Sequence, residues 1–308
     1  GKYFVTRNQS AIIAFKVSRK DYSGFHIAAS HSDSPTLKIK ESSEMNVENQ
    51  YVKLNVEKYG GMLCAPWFDR PLSVAGRIIV KDGNRLTTKL INVDRDLLMI
   101  PNLAIHMNRE ANSGVSYNPQ KDMLPLFSMG GSDVSLQKLL STQLDVEEKD
   151  ILSHDLFLYN RMEGSIWGAE NEFASSARLD DLQCAFASLK GFLGAQKQDC
   201  IAVHCVLDNE EVGSGTKQGA ASTFLKDTLL RINSGLGRTY EEYLMTLADS
   251  FMISADNAHA LHPNYTDKAD PVNHPLLNKG IVIKYNANQK YCTDAVSAAV
   301  FKDLCDRA

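Results

Sequence analysis

The run CIAVHCVL, residues 200–207, limits what this chain can fold into more than any other stretch. A nearly continuous apolar segment that stops abruptly at Asp208-Asn209-Glu210-Glu211 reads as a strand buried on both faces, the pattern of a parallel sheet covered by helices. Upstream, LDDLQCAFASLKGFL places Leu179, Leu182, Ala185, Phe186, Leu189 and Phe192 at three- and four-residue steps. This draws one apolar stripe down a helix, which is expected to pack on the sheet. Downstream, an amphipathic helix over GAASTFLKDTLLRI and strands over SFMISAD and GIVIKYN continue the alternation. Strands alternating with helices predict an α/β fold, a mostly parallel sheet sandwiched by helices.

The first part of the chain differs in texture. FHIAASHSDSPTLKIK reads as strand, loop, strand. From about Gln50 to Asn160, strand-like pieces such as VKLNVEKYG, GRIIVKDG and TTKLINV alternate with Gly, Asn and Asp turns, and short helices are expected around SLQKLLSTQ and VEEKDILSH. An interposed β-rich domain over 46–165 follows, dividing an α/β domain into 1–45 and 166–308.

With 308 residues and 44% hydrophobic content, the chain can bury a large core. A net charge of -4 lacks the basic footprint of phosphate-backbone binding, which argues against nucleic acid as a partner. No apolar run approaches the ~20 residues of a membrane helix, and GKYFVTRNQS has no signal-peptide core. Membrane association is therefore not expected, and a cytoplasmic setting is. The six scattered cysteines form no CxxC pair and read as reduced thiols. The chain opens in strand-like sequence and stops within AVSAAVFKDLCDRA with no terminating Gly or Pro, so residues are expected beyond each end.

In α/β sheets, ligands collect at the carboxyl ends of the strands, and several polar residues fall at such ends. In His31-Ser32-Asp33-Ser34-Pro35, the histidine can bind a metal while the carboxylate two residues on orients its ring; a polar turn closed by Pro35 is the competing reading. Asp180 and Asp181 open the LDDLQCAFA helix, either as a capping pair or with a carboxylate bridging two cations. The strongest signal is LDNEEVGSG. Of two adjacent glutamates after a buried strand, one can hold metal while its neighbour, Glu210 or Glu211, takes a proton from water. Asp256 also follows an apolar strand, as a metal ligand or a loop cap, with His259, His262 and His274 close behind.

Taken in order, HSDSP, ARLDDLQCAFASL, LDNEEVGS, SADNAHALHPNY and VIKYNANQKY resemble the aspartyl aminopeptidase and aminopeptidase I family of zinc metallopeptidases. YGGMLCAPWFDRPLSVAGRIIV and IPNLAIHMNRE are similar to that family's interposed dimerisation domain. The resemblance implies a zinc-exopeptidase fold holding two divalent metal ions, with zinc the expected metal. It implies that His31 binds one ion with Asp33 orienting it, that Asp180 bridges both, and that Glu211 holds the other ion. Asp256 would complete the site begun by His31, and Glu210 would be the general base. By the same resemblance, His106 reaches toward a neighbouring subunit's active site in a homo-oligomer, a dimer or a larger closed assembly. His274 and Lys284 line the substrate pocket, Lys284 being able to pair with an acidic side chain. The family's last ligand is a histidine in a C-terminal motif, and nothing after His274 supplies it.

The expected activity is removal of acidic or neutral N-terminal residues from peptides by metal-activated water. A related co-catalytic zinc amidase or deacylase is the alternative, as is a catalytically silent scaffold if the metal site is incomplete.

Overall fold

A computed structural model describes residues 1–196 and 199–308. Among the described residues, thirteen strands follow in chain order: β1 (Lys2–Arg7), β2 (Ala11–Lys16), β3 (Phe25–His31), β4 (Thr36–Val47), β5 (Tyr51–Tyr59), β6 (Leu72–Asp82), β7 (Arg85–Asn92), β8 (Leu126–Met129), β9 (Ile151–Asn160), β10 (Ser165–Trp167), β11 (Phe173–Ser175), β12 (Ile201–Leu207) and β13 (Phe251–Ser254). The helices are α1 (Pro119–Asp122), α2 (Leu136–Leu144), α3 (Leu179–Gly194), α4 (Phe224–Gly235), α5 (Tyr240–Ala248) and α6 (Ala295–Asp306). The chain divides into a unit over Gly1–Ala255 and a smaller one over Asp256–Ala308.

The first unit contains two large sheets. One has the order β1-β2-β12-β3-β13. It is mixed rather than mostly parallel: β12 and β13 both run parallel to β3, whereas β1 pairs antiparallel with β2 and β2 with β12. The tight β1–β2 turn explains the difference, since Asn8 and Gln9 take positive φ there and fold the chain into a hairpin that β-branched and aromatic residues then extend. Phe25, Ile27 and Ala29 of β3 and Val203, Cys205 and Leu207 of β12 alternate onto one face, buried with Phe224, Leu229 and Ile232 of α4 and Tyr243 of α5.

The opposite face carries α3, but by only part of the stripe that periodicity picks out, Ala185 and Phe192. Leu179, Leu182, Phe186 and Leu189 are exposed, while Asp181, Cys184, Ala185, Ser188 and Phe192 are the less exposed positions. The helix presents its small residues to the sheet, which lets it lie close, and Phe192 stacks on His204 of β12 with ring centroids 5.8 Å apart. Ser188 meets this environment by bonding back to the Cys184 carbonyl at 2.7 Å.

The other large sheet, β7-β6-β9-β4-β5-β8, has its own core, including Leu37, Leu54, Ile78 and Leu156. Its pairings are antiparallel, and it begins at Thr36. Its entry and exit strands lie side by side, with Lys38 opposite Phe157 and the Thr36 hydroxyl donating to the Leu158 carbonyl at 2.5 Å. Arg77 of β6 donates twice to Asp155, at 2.9 and 2.7 Å, and once to the Asn8 carbonyl at 2.8 Å, which ties this sheet to the β1–β2 turn. The expected helix over VEEKDILSH is a single 3-10 turn, Glu148–Asp150, leading directly into β9, because Ile151, Leu156 and Leu158 are needed in the ladder and core.

In the second unit, α6 is the main element, opened by a capping box in which Asp294 and Ser297 exchange bonds. Residues 280–286, expected as the strand GIVIKYN, form no strand. Ile281 is largely exposed there, so no sheet neighbour rewards the apolar run. Cys64, Cys200, Cys205, Cys292 and Cys305 are free thiols. Among the described residues, no helix is long and apolar enough to cross a membrane.

Candidate metal centre

His31 closes β3 and Leu207, its register partner, closes β12, so the parallel strands deliver His31 and the Asp208–Glu211 loop to the same sheet edge. The Ser32 N–H donates to the Leu207 carbonyl at 3.0 Å and continues the ladder into the loop. Asn209 then takes a left-handed conformation (φ 62°), which Asn tolerates well, and a 3-10 turn over Glu210–Val212 ends at Gly213 with φ 93°. The glutamate pair is thus held on a tight turn.

Ligand-type atoms of His31, Asp180 and Asp181 lie within 4.8 Å of one another, and so do those of His31, Glu210 and Glu211. His31 is common to both groups. Its Nε2 stands 3.4 Å from Asp180 Oδ1, while its Nδ1 lies 3.0 Å from the Asp33 carbonyl and 3.3 Å from Asp33 Oδ1. Asp180 and Asp181, neighbours at the start of α3 joined by a cis peptide, are used differently. The Asp180 side chain is 54% exposed, whereas Asp181 is fully buried and accepts the His31 backbone N–H at 3.1 Å.

Asp33 sits under a crowd of donors. The Tyr59 hydroxyl and the Glu211 N–H donate to Oδ2 at 2.7 and 3.1 Å, and the Glu210 N–H donates to Oδ1 at 3.0 Å. Burial alone would raise its pKa, but the bonds from His31, Tyr59 and the two backbone groups hold it below the usual carboxylate range. Burial also works against a charged His31, yet the bond to Asp33 and the charges of Asp181, Asp33 and Glu210 push that imidazole up to about 9. Glu211 is raised to about 7, by burial first and then by the negative charges of Glu210 and Asp180.

An imidazole and several carboxylates at one edge, crowded enough for one acid to retain a proton near neutrality, fit a divalent cation. His31, Asp180, Glu210 and Glu211 are all in this cluster, with Asp33 behind His31. His106 lies elsewhere, exposed on the short 3-10 turn Ile105–Met107. The second unit holds the other three sequence-derived residues. There Lys284 Nζ donates to Asp256 Oδ2 at 2.7 Å and to the Asn257 carbonyl at 2.8 Å, and His274 Nδ1 lies 2.9 Å from the Asp270 carbonyl. Tyr59 and Asn209 join the site without having been singled out for it, and Asp181, paired with Asp180 in the sequence, joins it through the His31 backbone N–H. Asn209 carried a signal, as the residue before the acid pair in a glycine-rich turn; Tyr59 carried none, being one aromatic residue at a strand end.

The sequence profile described as Aminopeptidase I zinc metalloprotease (M18) matches residues 1–308. A relative from Clostridium acetobutylicum, described as a probable M18 family aminopeptidase 2, is 48% identical over 99% of this chain and 72% of its own. A chain in the cryo-EM structure of the Ape4 and Nbr1 complex superposes with a TM-score of 0.93 at 37% identity, covering 99% of this chain and 63% of that one. The S. cerevisiae mApe1 dodecamer gives a TM-score of 0.85 at 26% identity, over 100% of this chain and 72% of that one. The chain belongs to the aminopeptidase I (M18) family of zinc metalloproteases, peptidases of the hydrolase class.

Proposed function

We propose that this chain removes single residues from the N-termini of peptides, with Glu210 as general base. The observation that carries this reading is the pair of overlapping ligand groups about His31, one with Asp180 and Asp181 and the other with Glu210 and Glu211. In this reading His31 would hold one of two zinc ions, Glu211 the second and Asp180 would serve both, with Asp256 a further ligand on the family resemblance. Bound zinc supplies Lewis acidity toward the scissile carbonyl and lowers the pKa of water. Glu210 accepts the proton of the attacking water on its carboxylate and returns it to the leaving amine. Asp33 accepts from His31 Nδ1 and thereby leaves Nε2 as the donor atom.

Within the same proposal, 46–165 is a dimerisation domain in a cytoplasmic homo-oligomer, and His106 acts at a neighbouring subunit's site. The exposure of Leu103, Ile105 and Met107 beside it supports this role, since apolar side chains clustered on a surface favour a protein partner. His274 and Lys284 contribute to the pocket for the residue removed.

The test is hydrolysis of aspartyl, glutamyl and leucyl substrates by zinc-loaded protein beside Glu210→Gln. Cleavage by the parent, and loss of about two to four orders of magnitude in the variant with zinc retained, is the expected result. Absence of cleavage of any free-amino substrate by zinc-loaded parent would overturn the reading in favour of an amidase or a silent scaffold.

A further inference from the structure

The six-stranded sheet reaches the metal centre at the end of β5. There the Tyr59 hydroxyl donates to Asp33 and accepts from Asn209 Nδ2, both at 2.7 Å. Asn209 Oδ1 in turn accepts from Thr216 Oγ1 and Gln218 Nε2, also at 2.7 Å. The bonds therefore run in one direction, from Thr216 and Gln218 through Asn209 and Tyr59 to Asp33. Gly60 closes the same corner by contact. Its φ is 78°, and a Cβ there would stand 3.0 Å from Glu211 Cβ and 3.3 Å from the Glu211 carbonyl.

We infer that Tyr59, Gly60 and Asn209 are positioning residues, through which the end of β5 fixes Asp33 and the Glu210–Glu211 loop and so sets the zinc affinity and turnover of the centre. The inference rests on the zinc-aminopeptidase reading above. Three features support it together. The Asp33 side chain is only 7% exposed, so a donor lost from it is not replaced freely by water. Asn209 immediately precedes the two glutamates, so its side-chain bonds hold the turn on which both stand. Gly60 lets the end of β5 lie close against Glu211 and Pro35, since a Cβ there would meet Glu211 Cβ at 3.0 Å and Pro35 Cα at 3.5 Å. Tyr59 touches no reacting atom; it acts through Asp33.

The experiment compares parent, Tyr59→Phe and Tyr22→Phe. Tyr22 is a fair reference, since its hydroxyl also donates to an asparagine, Asn233 Oδ1 at 3.0 Å, but near the opposite end of β3. Zinc affinity is read by competition with a chromophoric chelator, kcat and KM with the best substrate, and folding by circular dichroism. Tyr59→Phe is expected to weaken zinc binding on the order of tenfold and to lower kcat with little change in KM, while Tyr22→Phe leaves both within about twofold. Equal zinc affinity in parent and folded Tyr59→Phe overturns the inference, and so does an equal loss in Tyr22→Phe. Should Tyr59→Phe fail to fold, Asn209→Gly, which suits the left-handed backbone and removes the same amide donor, is judged by the same criterion. Zinc affinity is measured on the protein itself, so its outcome stands even if the parent cleaves no peptide, a result that would instead overturn the aminopeptidase reading.

Discussion

Replacing Asp33 by Asn tests whether the bonds around the metal centre have a fixed direction. The carboxylate accepts at both oxygens, from Tyr59 and Glu211 at Oδ2 and from Glu210, with His31 nearby, at Oδ1. An amide can accept at one position only. Its better orientation keeps oxygen toward His31 and Glu210 and turns NH2 toward Tyr59 and the Glu211 N–H. The Glu211 N–H then loses its acceptor, and Tyr59, which already accepts from Asn209, is left with two donors facing it and none to serve. One unsatisfied buried N–H and one lost charge-assisted bond amount to about 3 kcal/mol of stability for Asp33→Asn. Part of that cost needs the Tyr59 hydroxyl, so Asp33→Asn should cost about 1–2 kcal/mol less in a Tyr59→Phe background. Urea unfolding of the four proteins, all stripped of metal by chelator, measures this coupling. Additivity within about 0.5 kcal/mol would refute the directional account.

Two further outcomes follow from the same physics. Asn233 is fully buried, accepts from Tyr22, and donates to the Arg238 and Thr239 carbonyls at 3.2 and 2.8 Å, so Asn233→Ala should destabilise by about 3 kcal/mol in urea unfolding; a change below about 1 kcal/mol would contradict this. In the metal-free protein, His31 is raised to about 9 and Glu211 to about 7. Both folded values exceed the unfolded ones, so the folded state binds more protons and these groups' stability contribution falls as pH rises, from about 4.5 to 7 for Glu211 and about 6.5 to 9 for His31. Thermal unfolding should show that slope, Glu211→Gln should flatten its lower part, and an unchanged slope would count against the crowding of charges at the centre.

The site was more legible in the sequence than the packing around it. His31, Asp180, Glu210 and Glu211 each stand where a strand ends or a helix begins, and strand ends are marked in sequence by the switch from apolar to polar residues. The stripe on α3 was right only at Ala185 and Phe192, because periodicity favours the large apolar residues, whereas close packing on this sheet also uses the small Cys184 and Ser188 and leaves Leu179, Leu182, Phe186 and Leu189 exposed. GIVIKYN has strand composition, but a strand requires a neighbour, which composition does not encode. Tyr59 was illegible for a related reason: its partner Asp33 is 26 residues away and Asn209 150, and only the tertiary fold brings them together.

The adjacency of Lys38 and Phe157 has a kinetic consequence. His31 and Ile201 are about 170 residues apart, yet β3 and β12 must pair for the metal centre to exist. Once the six-stranded sheet between them has formed, with β4 paired to β9, its two ends are already together, and the effective loop shrinks to about 50 residues. Closing it is then easier by roughly 1 kcal/mol of chain entropy. The six-stranded sheet is thus expected to gain protection against hydrogen exchange before the β3–β12 pair during refolding, so that the part of the chain without metal ligands leads the assembly of the part that has them.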